Sequence, residues 1–212
     1  MRRERGIVGC GLLACVLAGC GGGGAAGSHL DPRAMAQLRA VLSEEPRLPD
    51  GFTPRPGEAW RIPFDKAGKN CRTMLRPAEG RAPSQALTAQ AAVSYAGDNL
   101  GEQAGVALAR YTGGEAADHL DELADALESC RRVSSPSGTD LRSRELPIED
   151  VGDEAVGARL AGRLNGYPYA MDVVLSRAGD TLVSVVHTGL EDVDAGRTRA
   201  MVDAAITMAG DR

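Results

Sequence analysis

The sequence predicts an α+β fold, a mostly antiparallel sheet with helices packed on one side, in a single domain over residues 29–212. Three observations carry this. Leu87 to Tyr95 and Tyr169 to Leu175 alternate apolar positions with smaller or polar ones, the period of a strand. Short turns rich in Gly and Asp, such as Asp98-Asn99-Leu100-Gly101 and Ala178-Gly179-Asp180, separate such runs at hairpin lengths. Leu120, Leu123, Leu127 and Cys130 fall on one helical stripe, as do Met201, Ala205 and Met208. Strand pairs with helices between and after them make a sheet with a helical layer.

Taken in order, Asp31-Pro32 offers an N-cap and a first-turn proline, and Met35, Leu38 and Leu42 follow at helical spacing in a short helix that ends near Ser43. Leu48-Pro49-Asp50-Gly51-Phe52 is a turn into an irregular stretch with five prolines between Pro46 and Pro63, whose Trp60 and Phe64 cover an edge of the core. Leu87 to Tyr95 and Ala104 to Tyr111 form an antiparallel hairpin. Thr112-Gly113-Gly114 breaks the sheet before a helix from Glu115 to Arg131, whose stripe turns Cys130 toward the core. Three further strands follow, Ala155 to Leu164, Tyr169 to Arg177 and Thr181 to Thr188, and a helix from Asp194 to Ala209 closes the domain.

The beginning of the chain has a different character. A basic head, Met1 to Arg5, precedes an apolar run from Ile7 to Ala18 and then small residues, the three parts of a secretory signal. A membrane-crossing helix needs about 20 apolar residues, so this run is too short to stay as an anchor. Leu17-Ala18-Gly19-Cys20 resembles the lipobox of bacterial lipoproteins, which implies cleavage before Cys20 and lipid on the new N-terminus. Residues 1–19 then form the signal peptide and residues 20–28 the lipidated cysteine with a flexible Gly-rich tether. Several acyl chains hold a protein stably, at about 0.8 kcal/mol per buried methylene. The alternative is ordinary secretory cleavage near Ala25 and Ala26, with Cys20 incidental.

Of five cysteines, Cys10 and Cys15 leave with the signal and Cys20 takes lipid, so Cys71 and Cys130 remain in an oxidising compartment. A bond between them closes a loop of about 60 residues, worth on the order of 4 kcal/mol in the chain-entropy model. The alternative is two separate buried thiols. Neither cysteine belongs to a Cys-x-x-Cys pair, so redox and zinc roles have no support.

Cleavage removes three arginines and one glutamate, a net +2, taking the formal charge from −5 to −7. An acidic domain with seven aromatic residues offers no surface for nucleic acid. Arginine outnumbers lysine 22 to 2, which reads as the bias of a GC-rich genome.

The leading Leu-Ala-Gly-Cys, the helix followed by Leu48 to Phe52, lone Cys71, the strand pair and the helix ending in Cys130 form a recognisable layout. With Gly152-Asp153-Glu154-Ala155, the Arg177 to Val186 hairpin and the final helix, it resembles actinobacterial sensor-domain lipoproteins. These are similar to the extracellular domain of PknH-type receptor serine/threonine kinases. The resemblance implies binding of a ligand or partner outside the cell and supplies no catalytic residue. That kinase domain carries two disulfides, whereas one pair is possible here.

Chemistry by motif is sparse. Neither Gly-x-Ser-x-Gly nor Ser-x-x-Lys occurs, and the glycines after Cys20 lack the lysine of a phosphate loop. His29 lies at the exit of the tether. His119 sits among Asp118, Asp121, Glu122 and Asp125, opposite Leu120 and Leu123; a His-x-x-Glu pair could hold metal, but a solvated helix face explains it better. His187 alternates with Val183 and Val185 and reads as a half-buried structural histidine. Glu191, Asp192 and Asp194 suit the N-terminus of the last helix better than a calcium loop, and Arg131 and Arg132 suit the C-terminal end of the middle one. Trp60, Tyr111, Tyr167 and Tyr169 are the candidate walls of a ligand pocket, with core packing the plainer role.

These readings lead to a membrane-anchored, extracytoplasmic, non-enzymatic binding module, without catalytic residues, metal or cofactor, for a small-molecule, cell-wall or protein ligand. An envelope hydrolase or transferase with a scattered site, and a lipid carrier, are the rivals.

Overall fold

The computed structural model describes residues 30–44, 48–64 and 66–210, so the signal peptide, Cys20 with its tether, and His29 lie outside the described residues. Asp31 caps the first helix, α1 (Pro32–Ser43), by accepting from the Arg33 amide at 2.8 Å, and Leu38 and Leu42 are its buried residues. The rest of the chain supplies β1 (Thr53–Arg55), α2 (Lys69–Leu75) with a 3-10 turn (Arg76–Glu79), β2 (Leu87–Ala96), β3 (Gln103–Tyr111) and α3 (Glu115–Ser129). It continues with β4 (Arg132–Ser135), β5 (Thr139–Glu145), β6 (Glu154–Leu164), β7 (Tyr167–Ala178), β8 (Thr181–Gly189) and α4 (Ala195–Gly210).

The strands form one antiparallel sheet in the order β1-β2-β3-β8-β7-β6-β5-β4. Its centre is the join between β3 and β8, which unites the early hairpin with the later meander. The expected class stands: a single α+β domain, an antiparallel sheet with helices packed against it.

The distribution of helices is more even than the expected single side. Tyr169, Met171, Val173 and Leu175 of β7 meet α2 and α3, together with Leu182 and Val186 of β8. Their alternates Val174, Val183 and Val185 meet α1 and α4. Successive strand residues point to opposite faces, so α2 and α3 cover one face and α1 and α4 the other. The physical reason is visible in β8, buried at every position: a central strand apolar in both registers needs cover on both sides.

Several small elements went unpredicted. β1 contains Pro54, β4 is a polar four-residue strand, β5 alternates Leu141 with arginines and an aspartate, and α2 is seven residues long. Their local signals are weak, and tertiary pairing forms them. Trp60 does more than cover an edge: it is buried in the core beneath α2 and α3 and lies on Gly105, where any added Cβ would collide with it. Among the described residues no helix is long and apolar enough to cross a membrane.

Candidate functional site

The middle helix ends where the sequence stripe places it, with Cys130 as its C-cap and Cys71 one turn into α2. The two are bonded, their Cα atoms 4.9 Å apart across 59 positions of sequence. This tie pins the C-terminal end of α3 beside β5 and β6. A groove of about 380 Å³ opens there, its apolar lining made by Leu127, Leu146, Ile148 and Val156 and its charged lining by Glu128, Arg131 and Glu145. Arg131 thus lines the groove and Arg132 pairs with Asp140 at 2.7 Å across the β4–β5 hairpin, in place of the helix-end role expected for them. Past Leu146, whose amide still donates to the Gly157 carbonyl at 3.0 Å, the chain leaves β6, and this departure exposes the start of β6 as the groove wall. Apolar surface flanked by charges of both signs suits an amphipathic ligand or a peptide.

The opposite face carries the densest chemistry. Strand register sets Arg159, Asp172 and His187 in one row across β6, β7 and β8, all directed toward α4. Arg159 grips Asp172 with two hydrogen bonds, 2.6 and 2.8 Å, and reaches Asp192 at 3.0 Å and the Val193 carbonyl at 2.7 Å. The Thr198 hydroxyl of α4 lies 2.8 Å from Asp172 and 2.9 Å from His187 Nδ1, while His187 Nε2 lies 2.9 Å from Glu102. Arg197 closes the row from outside, 3.4 Å from Glu102 and stacked 4.7 Å from the Phe52 ring centre. Phe52 in turn meets the His187 ring edge-on.

Burial holds the His187 imidazole below its ordinary range, against the opposing pull of the Glu102 carboxylate. For Glu102, burial pushes upward, but hydrogen bonds from His187 and Asn99 and the Arg197 charge outweigh it, and the carboxyl titrates below its usual value. A neutral His187 gives its Nε2 proton to Glu102 and leaves Nδ1 as an acceptor. Thr198 then has one proton and three takers, Nδ1, Asp172 and the Asp194 carbonyl at 3.1 Å.

Glu102, His187 and Thr198 follow the hydrogen-bonding order of acid, base and hydroxyl nucleophile. Yet Thr198 and Asp172 are fully buried and His187 is 1% exposed, so the hydroxyl has no route to a substrate. What the row does is clamp α4 to the sheet. A depression of about 480 Å³ outside it exposes Asn99, Leu100, Leu190 and Asp192 around the rims of Glu102 and His187.

The aromatic candidates do not converge on either opening. Trp60, Tyr111 and Tyr169 are buried in the core under α2 and α3, and the Tyr111 hydroxyl donates to the Pro83 carbonyl at 3.0 Å. Tyr167 stands apart, 72% exposed at the start of β7. His119 departs from expectation: it is 5% exposed, not on a solvated face, with Nε2 3.1 Å from the Gln85 carbonyl and its ring packed 4.7 Å from Tyr111. A wide apolar arc on α3, from Ala116 through His119 to Leu127, draws it inward. His187 is fully rather than half buried. Asp194 caps α4, accepting from the amides of Gly196 and Arg197, whereas Asp192 serves Arg159.

Among the described residues no cluster of His, Cys, Asp and Glu side chains is arranged to hold a metal ion. Sequence reading missed Glu102, Arg159, Asp172 and Thr198. One signal was available: Asp172 interrupts the apolar run of a long strand, where an unpaired carboxylate would be costly and a partner had to exist.

No protein-family model matches the chain, and no curated protein matches it in sequence. Among solved structures, the extracellular domain of PknH from Mycobacterium tuberculosis shares the fold, with a TM-score of 0.51 and 14% identity over 84% of this chain and 92% of that one. An uncharacterised Mycobacterium smegmatis protein, the Rv0999 ortholog, gives a TM-score of 0.48 and 15% identity over 82% of this chain and 96% of that one. The structural likeness to a PknH extracellular domain, expected from the layout of elements, is therefore found; at this identity it concerns the fold.

Proposed function

We propose that the chain is an extracytoplasmic, lipid-tethered and non-enzymatic binding module, sensor-like in kind, which takes its ligand or partner in the groove between α3 and β6. The observation that carries this reading is the groove itself, apolar surface beside charges of both signs, pinned by a disulfide at its margin. Disulfides persist in oxidising compartments, which favours a place outside the cytoplasm, and the fold is one that a kinase uses for its extracellular domain. Cys20 supplies the anchor in this reading, through the match of Leu17 to Cys20 to a lipobox. The ligand has an apolar body and a charged or zwitterionic group.

The test is native mass spectrometry of the full-length chain after incubation with fractionated envelope extract. A retained mass is expected with the unaltered protein and is lost in Ala124→Trp, which fills the groove from a partly exposed position on α3. Release of a shortened product in place of a retained ligand would establish the hydrolase reading instead. A carrier of lipids has less support, since the groove mixes polar with apolar surface whereas a lipid cavity is chiefly apolar. Recovery of the Cys20→Ala protein in the same detergent phase as the parent would remove the anchor.

A further inference from the structure

The half of the sheet made by β4, β5 and β6 is covered by helix on only one of its faces. Leu141 and Leu160 point into the core under α3, so their neighbours Arg142, Ala161 and Arg159 point to the other face, where α1 packs on β2 and α4 on β7 and β8. On this open face the register sets Arg132 directly opposite Arg142, and Arg144 directly opposite Arg159. Arg163 stands opposite Asp140 in the adjoining row.

Like charges directly opposite on paired strands repel. Two of these five arginines have internal partners: Arg159 holds Asp172 and Asp192, and Arg132 holds Asp140. Arg142, Arg144 and Arg163 are exposed, and no carboxylate among the described residues forms an ion pair with them. On the other face of the sheet α3, which packs chiefly on β7 and β8 and reaches β6, exposes Asp118, Asp121, Glu122, Asp125 and Glu128. An acidic chain of net charge −5 thus gathers positive charge on one face of β4, β5 and β6 and negative charge on the helix α3 of the opposite face.

We infer that the arginine face of β4, β5 and β6 docks on an anionic phospholipid surface and turns the α3 side away from it. A lone phosphate is bound in a concave nest of donors. Here the guanidinium groups spread over three strands, about 10 Å across and about 13 Å along them, an array that meets several headgroup phosphates at once. Each arginine near such a surface adds attraction that fades within a Debye length of about 10 Å. The acidic α3 face is repelled by the same surface, so the two charges act together to choose one orientation. This inference rests on the proposed tether, which keeps the domain close to the bilayer and makes weak contacts count.

The test measures binding of the full-length chain to phosphatidylcholine vesicles with and without phosphatidylglycerol. Phosphatidylglycerol is expected to strengthen binding in a salt-dependent manner, and Arg142→Gln, Arg144→Gln and Arg163→Gln together to weaken that increment on the order of 100-fold. All three positions are exposed, so an unchanged melting temperature will show that the variant is folded. The inference is overturned if phosphatidylglycerol adds nothing, or if the triple variant keeps the full increment. It is overturned equally by salt-sensitive self-association that is lost both in the arginine variant and in Asp121→Asn with Glu122→Gln and Asp125→Asn, since the arginines would then serve α3 of a second copy. Binding to neutral vesicles reports the acyl anchor alone; its absence would sink the tether and leave an arginine-dependent increment as evidence for the face.

Discussion

The two sides of the central sheet secure their helices by different means. Under α2 and α3 the interior is dry, built from Trp60, Tyr111, Leu120, Leu123 and Met171, and a covalent bond between Cys71 and Cys130 fastens the two helices together. Under α1 and α4 an apolar layer of Val93, Val174, Val185 and Met201 is interrupted by the row of Arg159, Asp172, His187 and Glu102, to which α4 contributes Thr198. One side depends on area and chain entropy, the other on every polar member finding its partner. The difference predicts which conditions loosen which helix: reductant acts on the first side and acid on the second.

Asp172→Ala tests the polar side hardest. It leaves Arg159 and Thr198 without their central acceptor, and loss of one partner from a buried charged pair costs about 3–5 kcal/mol. Denaturant unfolding should show that loss, and Asp172→Leu combined with Arg159→Met should recover much of it. If the single variant is as stable as the parent, the row is ornamental and the contrast between the faces disappears.

Replacing Cys71 and Cys130 by serine tests the dry side. The 59-position separation predicts a loss of about 4 kcal/mol if chain entropy dominates. Amide exchange should rise first in α2 and in the last turns of α3, leaving α4 protected; uniform exposure of all helices would erase the distinction.

Acid should act through the polar row. His187 has a folded-state value below its ordinary one of 6.5, so the unfolded chain binds its proton more readily and stability increases with pH. The stabilisation is complete above the unfolded value and is lost as pH falls below about 6.5 toward the folded one. Glu102, also lowered, adds a second loss as pH falls below its ordinary 4.5. A melting-temperature profile should therefore decline in two stages, and His187→Gln should flatten the upper one.

The smallest expected effect concerns α1. Tyr95 donates its hydroxyl to the Leu42 carbonyl at 2.6 Å inside the core, and Tyr95→Phe should cost about 1 kcal/mol in the same unfolding assay, enough to show how far α1 depends on that contact.

The major elements were legible because they announce themselves locally. β2 and β7 alternate, α3 and α4 show their stripes, and Asp31-Pro32 marks the start of α1. The Cys71 to Cys130 bond was legible by counting thiols. The distribution of helices over two faces was present in β8, whose Leu182, Val183, Val185 and Val186 occupy both registers, but strand length and turns do not say which helix covers which side. The polar row was hidden for a different reason. Glu102 and His187 are 85 positions apart, and only the β3–β8 pairing brings them together. The groove is likewise a product of where β5 departs from β6, which no local pattern records.

The order of strands has one more consequence. An open sheet ends in two borders, and here the outermost members are three residues and four residues long. The first has Pro54 at its middle, with no amide proton to offer a neighbour, and the second is flanked by a tight reversal at Ser135 to Gly138. Strands so brief give a passing chain little backbone to zip onto, a guard against runaway fibrous stacking.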